Sequence, residues 1–178
     1  MTEKKINLKK KRENMISLDI RYRAEIIIKA IEVENWMSNL ICLHFIDIND
    51  FDEFMKFHYC FMEDSAMLNF SNRREILRRV IIVGNYMIEK DRKKLDADIQ
   101  KISAIRNHLA HKPMTNNIDD AIKFDGKTIS YYSYKIEKGK SVKELITLNE
   151  IKFKEENERI DNVISRLRLL EKIIEKRV

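Results

Sequence analysis

Three glycines and one proline are all the chain breakers in 178 residues, and this scarcity limits the fold more than any other feature. Sandwiches and barrels must turn about every ten residues, using positions that tolerate positive φ or do without a backbone donor. This chain does not supply them, so long helices are expected. Charged residues make up 36% and apolar residues 44%, the balance of amphipathic helices with solvated outer faces rather than of a chain too polar to collapse. At this length one domain buries a real core without metals or disulfides. The expected architecture is mainly α: an antiparallel bundle of about five helices with a small β-hairpin insertion.

Charge divides the chain. The net charge is +6, yet Lys4, Lys5, Lys9, Lys10, Lys11 and Arg12 face only Glu3 and Glu13, leaving the body only mildly basic at about +2. Residues 1–16 are therefore read as a basic, disordered leader and 17–178 as a single helical domain. A functional version of the leader is an arm that grazes phosphates in a salt-dependent way. No apolar run of signal-peptide or membrane-spanning length follows, so a cytoplasmic protein without membrane contact is expected. Cys42 and Cys60 lack ligand spacing and read as free thiols in a reducing compartment.

Apolar positions recur at helical spacing from Leu18 to about Phe45, predicting a long first helix. Asp47 to Asp50 supply a turn and an N-cap, after which Phe51, Phe54, Met55, Phe57, His58 and Phe61 predict a second, aromatic helix with a core-facing side. Asn72 with Glu75 resembles the start of a third helix. Gly84 and Asn85 soften it without clearly ending it, and the charged run Glu89 to Lys94 reads as a junction. After Pro113, Asp125-Gly126 amid β-favouring residues predicts a hairpin insertion over about 121–137, with a second turn at 138–141 and a short strand over 142–146. Thr147 and Glu150 read as a capping box. The last helix carries an apolar stripe of Ile160, Val163, Ile164, Leu167, Leu170, Ile173 and Ile174.

One position breaks the pattern. With Leu95 as origin and about 100° per residue, Leu95, Ile99, Ile102 and Leu109 cluster on one side, and Arg106 falls among them at roughly 20°. A guanidinium there must meet a carboxylate, line a subunit interface or face a cleft awaiting an anion. Pro113 disfavours α conformation at Lys112 and so ends the helix near His111. Asn107 stands four residues before His111, the spacing at which its amide reaches and orients the imidazole.

The run Ile105-Arg106-Asn107-His108-Leu109-Ala110-His111-Lys112 resembles the Arg-Asn-x-x-x-His motif of the HEPN superfamily, helical proteins that include many prokaryotic toxin and phage-defence ribonucleases. The order of elements is similar over most of residues 18 to 178. The resemblance implies a metal-independent endoribonuclease without cofactor, typically a homodimer whose two motif helices pool Arg and His at one cleft. Arg106, Asn107 and His111 are then the catalytic set, His108 and Lys112 contact RNA, and a cognate antitoxin or defence partner is implied. In the toxins silenced by nucleotidylation a tyrosine stands two places after the histidine. Pro113 occupies that place here, which argues against that mode of control.

Blander readings compete. Arg106 can be a structural cation neutralised by Asp96, Asp98 or a carboxylate of the first helix, with His111 capping final carbonyls. His108 with His111, or Cys42, His44, His58 and Cys60, have no spacing that makes a convincing metal set. Tyr131, Tyr132 and Tyr134 suit either base stacking or hairpin packing. Many HEPN-like domains keep the fold without cleaving RNA, so a non-catalytic RNA-binding, protein-binding or dimerisation module is the second expectation.

Overall fold

A computed structural model describes residues 3–47, 49–62, 68–115, 118–137 and 140–176. The described residues are mainly helical, with six α-helices and one two-stranded antiparallel sheet, the fold class expected. The helices are α1 (Glu3–Phe45), α2 (Phe51–Phe57), α3 (Phe70–Val83), α4 (Glu89–His111), α5 (Ile118–Lys123) and α6 (Glu150–Glu175), and a π-helical turn (His58–Met62) continues α2. Strands β1 (Ile129–Glu137) and β2 (Lys140–Leu148) pair from Ile129 with Leu148 to Glu137 with Lys140. No described helix is long and apolar enough to cross a membrane.

The chain divides into two compact units, Met1–Ile27 with Arg106–Asn157 and Ile28–Ile105 with Glu158–Val178. In the second unit the apolar faces of the helices are buried, including Leu40, Leu77, Leu95, Ile99, Val163, Leu167 and Leu170. Ion pairs tie the helices in a cycle. Arg73 of α3 meets Glu34 of α1, Arg74 of α3 meets Asp96 of α4, and Arg166 of α6 meets Asp98 of α4. Lys29 and Glu32 of α1 meet Asp161 and Arg168 of α6, a progression that runs both helices in the same sense.

Several local expectations change, each for a visible reason. The leader is not separate from the fold: α1 begins at Glu3, because nothing in its lysine-rich start breaks a helix. Lys9 pairs with Glu13 one turn on, Lys11 donates to the Ile122 carbonyl at 3.2 Å, and Met15 is already buried. The N-cap at Asp50 is as read, its carboxylate accepting the Glu53 amide at 3.0 Å. The core-facing side of α2 is not: none of its residues is buried, and Phe51 is two-thirds exposed. Asn69, not Asn72, caps α3, accepting the Asn72 amide at 3.0 Å.

Gly84 does end α3, helped by Asn85 at a positive φ of 49°. The charged run from Glu89 is the first stretch of α4 rather than a junction, its Glu89 and Asp91 lying where the helix dipole favours acids. Asp125-Gly126 turns the chain, but between α5 and β1. The Asp125 carboxylate accepts the Lys127 and Thr128 amides, both at 2.8 Å, and Gly126 takes φ +83°. The two strands lie at Ile129–Glu137 and Lys140–Leu148 accordingly, and the second turn expected at 138–141 falls on residues of which 138–139 lie outside those described. Asn149 rather than Thr147 caps α6, accepting the Lys152 amide at 2.9 Å. The stripe on α6 is buried except for Ile173, which is 37% exposed.

Candidate functional site

In the first unit the end of α4 is fixed from two directions. Past His111 the chain runs beside the hairpin: the Thr115 amide donates to the Ser130 carbonyl at 2.9 Å, the Tyr132 amide to Pro113 at 3.3 Å, and Met114 forms a bridge with Tyr131. Pro113 has no amide to donate, so its carbonyl alone joins that ladder.

From α1, Arg23 donates to the carbonyls of Leu109 and of Lys112, the latter at 2.9 Å. These are orphan acceptors of a helix C-terminus, where a cation also meets the negative end of the dipole. Asp19, one turn earlier, grips the Arg23 Nε at 2.8 Å. The Tyr131 hydroxyl donates to Asp19 Oδ1 at 2.8 Å, and the Arg23 guanidinium lies over the Tyr131 ring at 4.8 Å. Burial first, and then the Asp19 carboxylate, push the Tyr131 phenol well above its ordinary range. Tyr22 stacks on Phe153 of α6 at 4.3 Å, closing the apolar side of the cluster.

Sequence reasoning missed Asp19, Arg23 and the anchoring role of Tyr131. The available signal was the Asp19-x-x-x-Arg23 spacing, which places an acid and a base on one face of α1. It is common on helix surfaces, and only the fold shows that α4 ends against it.

Arg106 is half-buried, while Leu95, Ile99, Ile102 and Leu109 are each at most 2% exposed, so it does stand within an apolar stripe. Its guanidinium donates through Nη1 to Asn107 Oδ1 at 3.0 Å. The carboxylates considered for it are held elsewhere: Asp96 by Arg74, Asp98 by Arg166 and Asp19 by Arg23. Among the described residues no acid pairs with Arg106.

Asn107 thus orients Arg106 rather than His111, contrary to the spacing argument. The two side chains are adjacent in sequence, and the planar guanidinium reaches the amide oxygen directly. His111 is exposed at the last turn of α4, with no side-chain hydrogen bond among the described residues. His108 and Lys112 are half-buried. Arg106 and His111 therefore share one helix end without touching. A guanidinium and an imidazole in this state can both meet a ligand, the first as a planar positive fork.

A cavity of about 390 Å³ lies in the same unit, lined by Met15, Thr115, Asp120, Lys123, Phe124, Asp125, Thr128, Ser130 and Leu145. None of the motif residues lines it. Of the three tyrosines considered for stacking, Tyr131 is buried in the cluster, Tyr132 is half-buried, and the side chain of Tyr134 lies outside the described residues. Cys42 and Cys60 are both free, the first buried, with burial raising its thiol to about 11, and the second exposed. No protein-family model, no curated protein and no solved structure matches this chain.

Proposed function

We propose that the protein is an endoribonuclease of the HEPN type, acting in toxin or phage-defence biology from the end of α4. One observation carries the reading: Arg106 sits in an apolar stripe with the neighbouring Asn107 as its one partner among the described residues, near a solvent-open His111 five positions on. A cation placed at that cost, with no acid among the described residues to neutralise it, suits an external anion.

In the proposed reaction His111 accepts the proton of a ribose 2′-hydroxyl. The 2′-oxygen attacks the adjacent phosphorus and the bond to the 5′-oxygen breaks, that oxygen being protonated as it leaves. Arg106, held by Asn107, faces the negative equatorial oxygens of the transition state. Products carry a 2′,3′-cyclic phosphate, and DNA, which lacks the nucleophile, is not cut. His108 and Lys112 contact the RNA. Arg106 and His111 do not meet within one chain, which favours a homodimer that brings both from two copies to one phosphodiester.

The test is cleavage of single-stranded and structured RNA in excess EDTA. Wild-type protein is expected to cut, with His111→Ala and Arg106→Ala each reduced by a factor of roughly a hundred or more. Equal cleavage by wild type and His111→Ala removes the catalytic claim. A second reading is a non-catalytic RNA-binding or dimerisation module, favoured by the cavity lying apart from the motif residues. It predicts salt-sensitive binding or self-association with no motif-dependent cleavage.

A further inference from the structure

The cavity of about 390 Å³ in the first unit is bounded by α1, α5 and the two strands, and its size falls among pockets that admit an organic molecule. Its walls are held by the fold. The Asp125 carboxylate is taken up by the Lys127 and Thr128 amides on Oδ1 and by the Thr128 hydroxyl on Oδ2, each at 2.8 Å. The Thr115 amide donates to the Ser130 carbonyl at 2.9 Å, and Lys11 of α1 reaches the Ile122 carbonyl of α5 at 3.2 Å.

Two hydroxyls in these walls are not used in this way. Thr115 is only 4% exposed, yet among the described residues its hydroxyl has no hydrogen-bond partner, and neither has that of Ser130. Buried polar groups are almost always paired, either within the protein or with what occupies the space beside them. Around the two hydroxyls stand an apolar surface from Met15, Leu145 and the Phe124 ring, a half-buried carboxylate from Asp120 and, one turn on in α5, the exposed ammonium of Lys123.

A flat ring with apolar faces and a polar edge suits such a lining, since its faces meet the apolar side chains and its edge meets the hydroxyls and the carboxylate. The carboxylate selects among such rings. It is acceptor-only, with about four lone-pair sites, so it takes further N–H donors beside any contact it already has. Of the four RNA bases only guanine turns two neighbouring donors, N1–H and N2–H, towards one carboxylate, and its O6 and N7 remain for hydroxyl donors. Adenine and cytosine set a ring acceptor beside their amino group, and uracil flanks its N–H with carbonyls. We propose that this cavity binds an unstacked guanine base, of a single RNA strand or of a free nucleotide, with Asp120 on its two donors, the Thr115 and Ser130 hydroxyls on its acceptors and Phe124 against its face. Lys123 at the mouth meets the adjoining phosphate. The binding does not depend on the ribonuclease reading. Where that reading holds, Thr115 follows His111 by four residues, a span of at most about 14 Å, so a base held here places a nearby bond of the strand at the end of α4.

The experiment uses full-length His111→Ala protein, in which a strand survives, and two probes. Guanosine, inosine and adenosine monophosphates are titrated by calorimetry, the second differing from the first only in lacking the N2 amino group. A fluorescent uridine strand of about ten nucleotides, carrying one guanine or one hypoxanthine, is followed by anisotropy. Guanine is expected to bind roughly tenfold more tightly than hypoxanthine on whichever probe binds, because one hydrogen bond to a charged group is lost. Asp120→Asn should abolish that preference, and Thr115→Val should weaken guanine binding by roughly fivefold. Leu145→Trp fills the cavity from an exposed position, so it should remove binding while the melting temperature stays that of wild type.

A strand bound far more tightly than the mononucleotide identifies RNA as the source of the base, and equal affinity identifies the free nucleotide; both outcomes support the site. Equal affinities for all three mononucleotides and for both strands overturn the proposal. So does guanine binding unaltered by Asp120→Asn and by Leu145→Trp, or no saturable binding of either probe. No step of the assay is a cleavage, so failure of wild-type protein to cut RNA removes the ribonuclease reading and leaves the cavity. Motif-dependent cleavage without guanine binding does the reverse.

Discussion

Two arginines approach the last turns of α4, and they do opposite things. Arg23 comes from α1 and has its donors engaged by Asp19 and by the Leu109 and Lys112 carbonyls, with the Tyr131 ring beneath it. Arg106 belongs to α4 itself and, among the described residues, donates to its neighbour Asn107 alone. The first region answers a need of the backbone, because a helix end leaves carbonyls without partners. The second answers no need of the fold that the structure reveals. What separates a structural from a functional cation is therefore not burial, since both are partly buried, but whether its donors have internal acceptors.

The sharpest way to break this contrast is to remove each arginine and measure both activity and stability. Arg106→Ala is expected to lose roughly a hundredfold or more of RNA cleavage, while its urea-derived stability stays within about 0.5 kcal/mol of wild type. Arg23→Ala should behave in the opposite order. It removes the cation from Asp19, leaving it the Tyr131 hydroxyl alone, and strands two carbonyls, which costs about 3 kcal/mol in a site that is only partly exposed. Its effect on cleavage, measured where the variant is still folded, should be smaller than that of Arg106→Ala. Equal destabilisation by both substitutions would mean that Arg106 has an internal role, and the contrast would collapse.

A finer version exchanges geometry for charge. Arg106→Lys keeps the charge but loses the planar fork, and it should recover only a minor part of the activity lost in Arg106→Ala. Full recovery would show that a point charge is sufficient and that Asn107 does not orient the group.

These contrasts also explain what was legible in the sequence. The helical class followed from the rarity of Gly and Pro, and the buried faces of α4 and α6 followed from periodicity, because both signals are local in the chain. The anomaly at Arg106 was visible for the same reason. Helix starts were misplaced by two or three residues at Asn69 and Asn149, since several Asn, Ser and Thr residues nearby have the chemistry to cap and only the backbone path selects one. Asp125-Gly126 points to a hairpin on local pattern alone, yet the pair is equally suited to a turn between a helix and a strand, which is its place here. The anchor at Asp19, Arg23 and Tyr131 was not legible at all. It joins residues 112 positions apart, and no local pattern reports which distant helix end an i, i+4 pair will meet.

The smallest effect tests that anchor from within. Tyr131 is fully buried and donates to Asp19 at 2.8 Å, so ionising it would place two negative oxygens together out of water. Its folded phenol therefore titrates far above the value of about 10 that it has in the unfolded chain. A raised folded value means that the stabilisation is complete below pH 10 and is lost as pH climbs from there towards the folded value, by about 1.4 kcal/mol per pH unit. Tyr131→Phe removes one hydrogen bond but leaves Asp19 on Arg23, so near neutrality it should cost only about 1 kcal/mol. It also removes the titration. Urea unfolding of both proteins from neutral pH upward should show a constant gap that closes above pH 10, with the curves crossing near about pH 11. A gap that stays constant through that range would mean that the phenol faces solvent in solution, and the end of α4 would then be held by Arg23 alone.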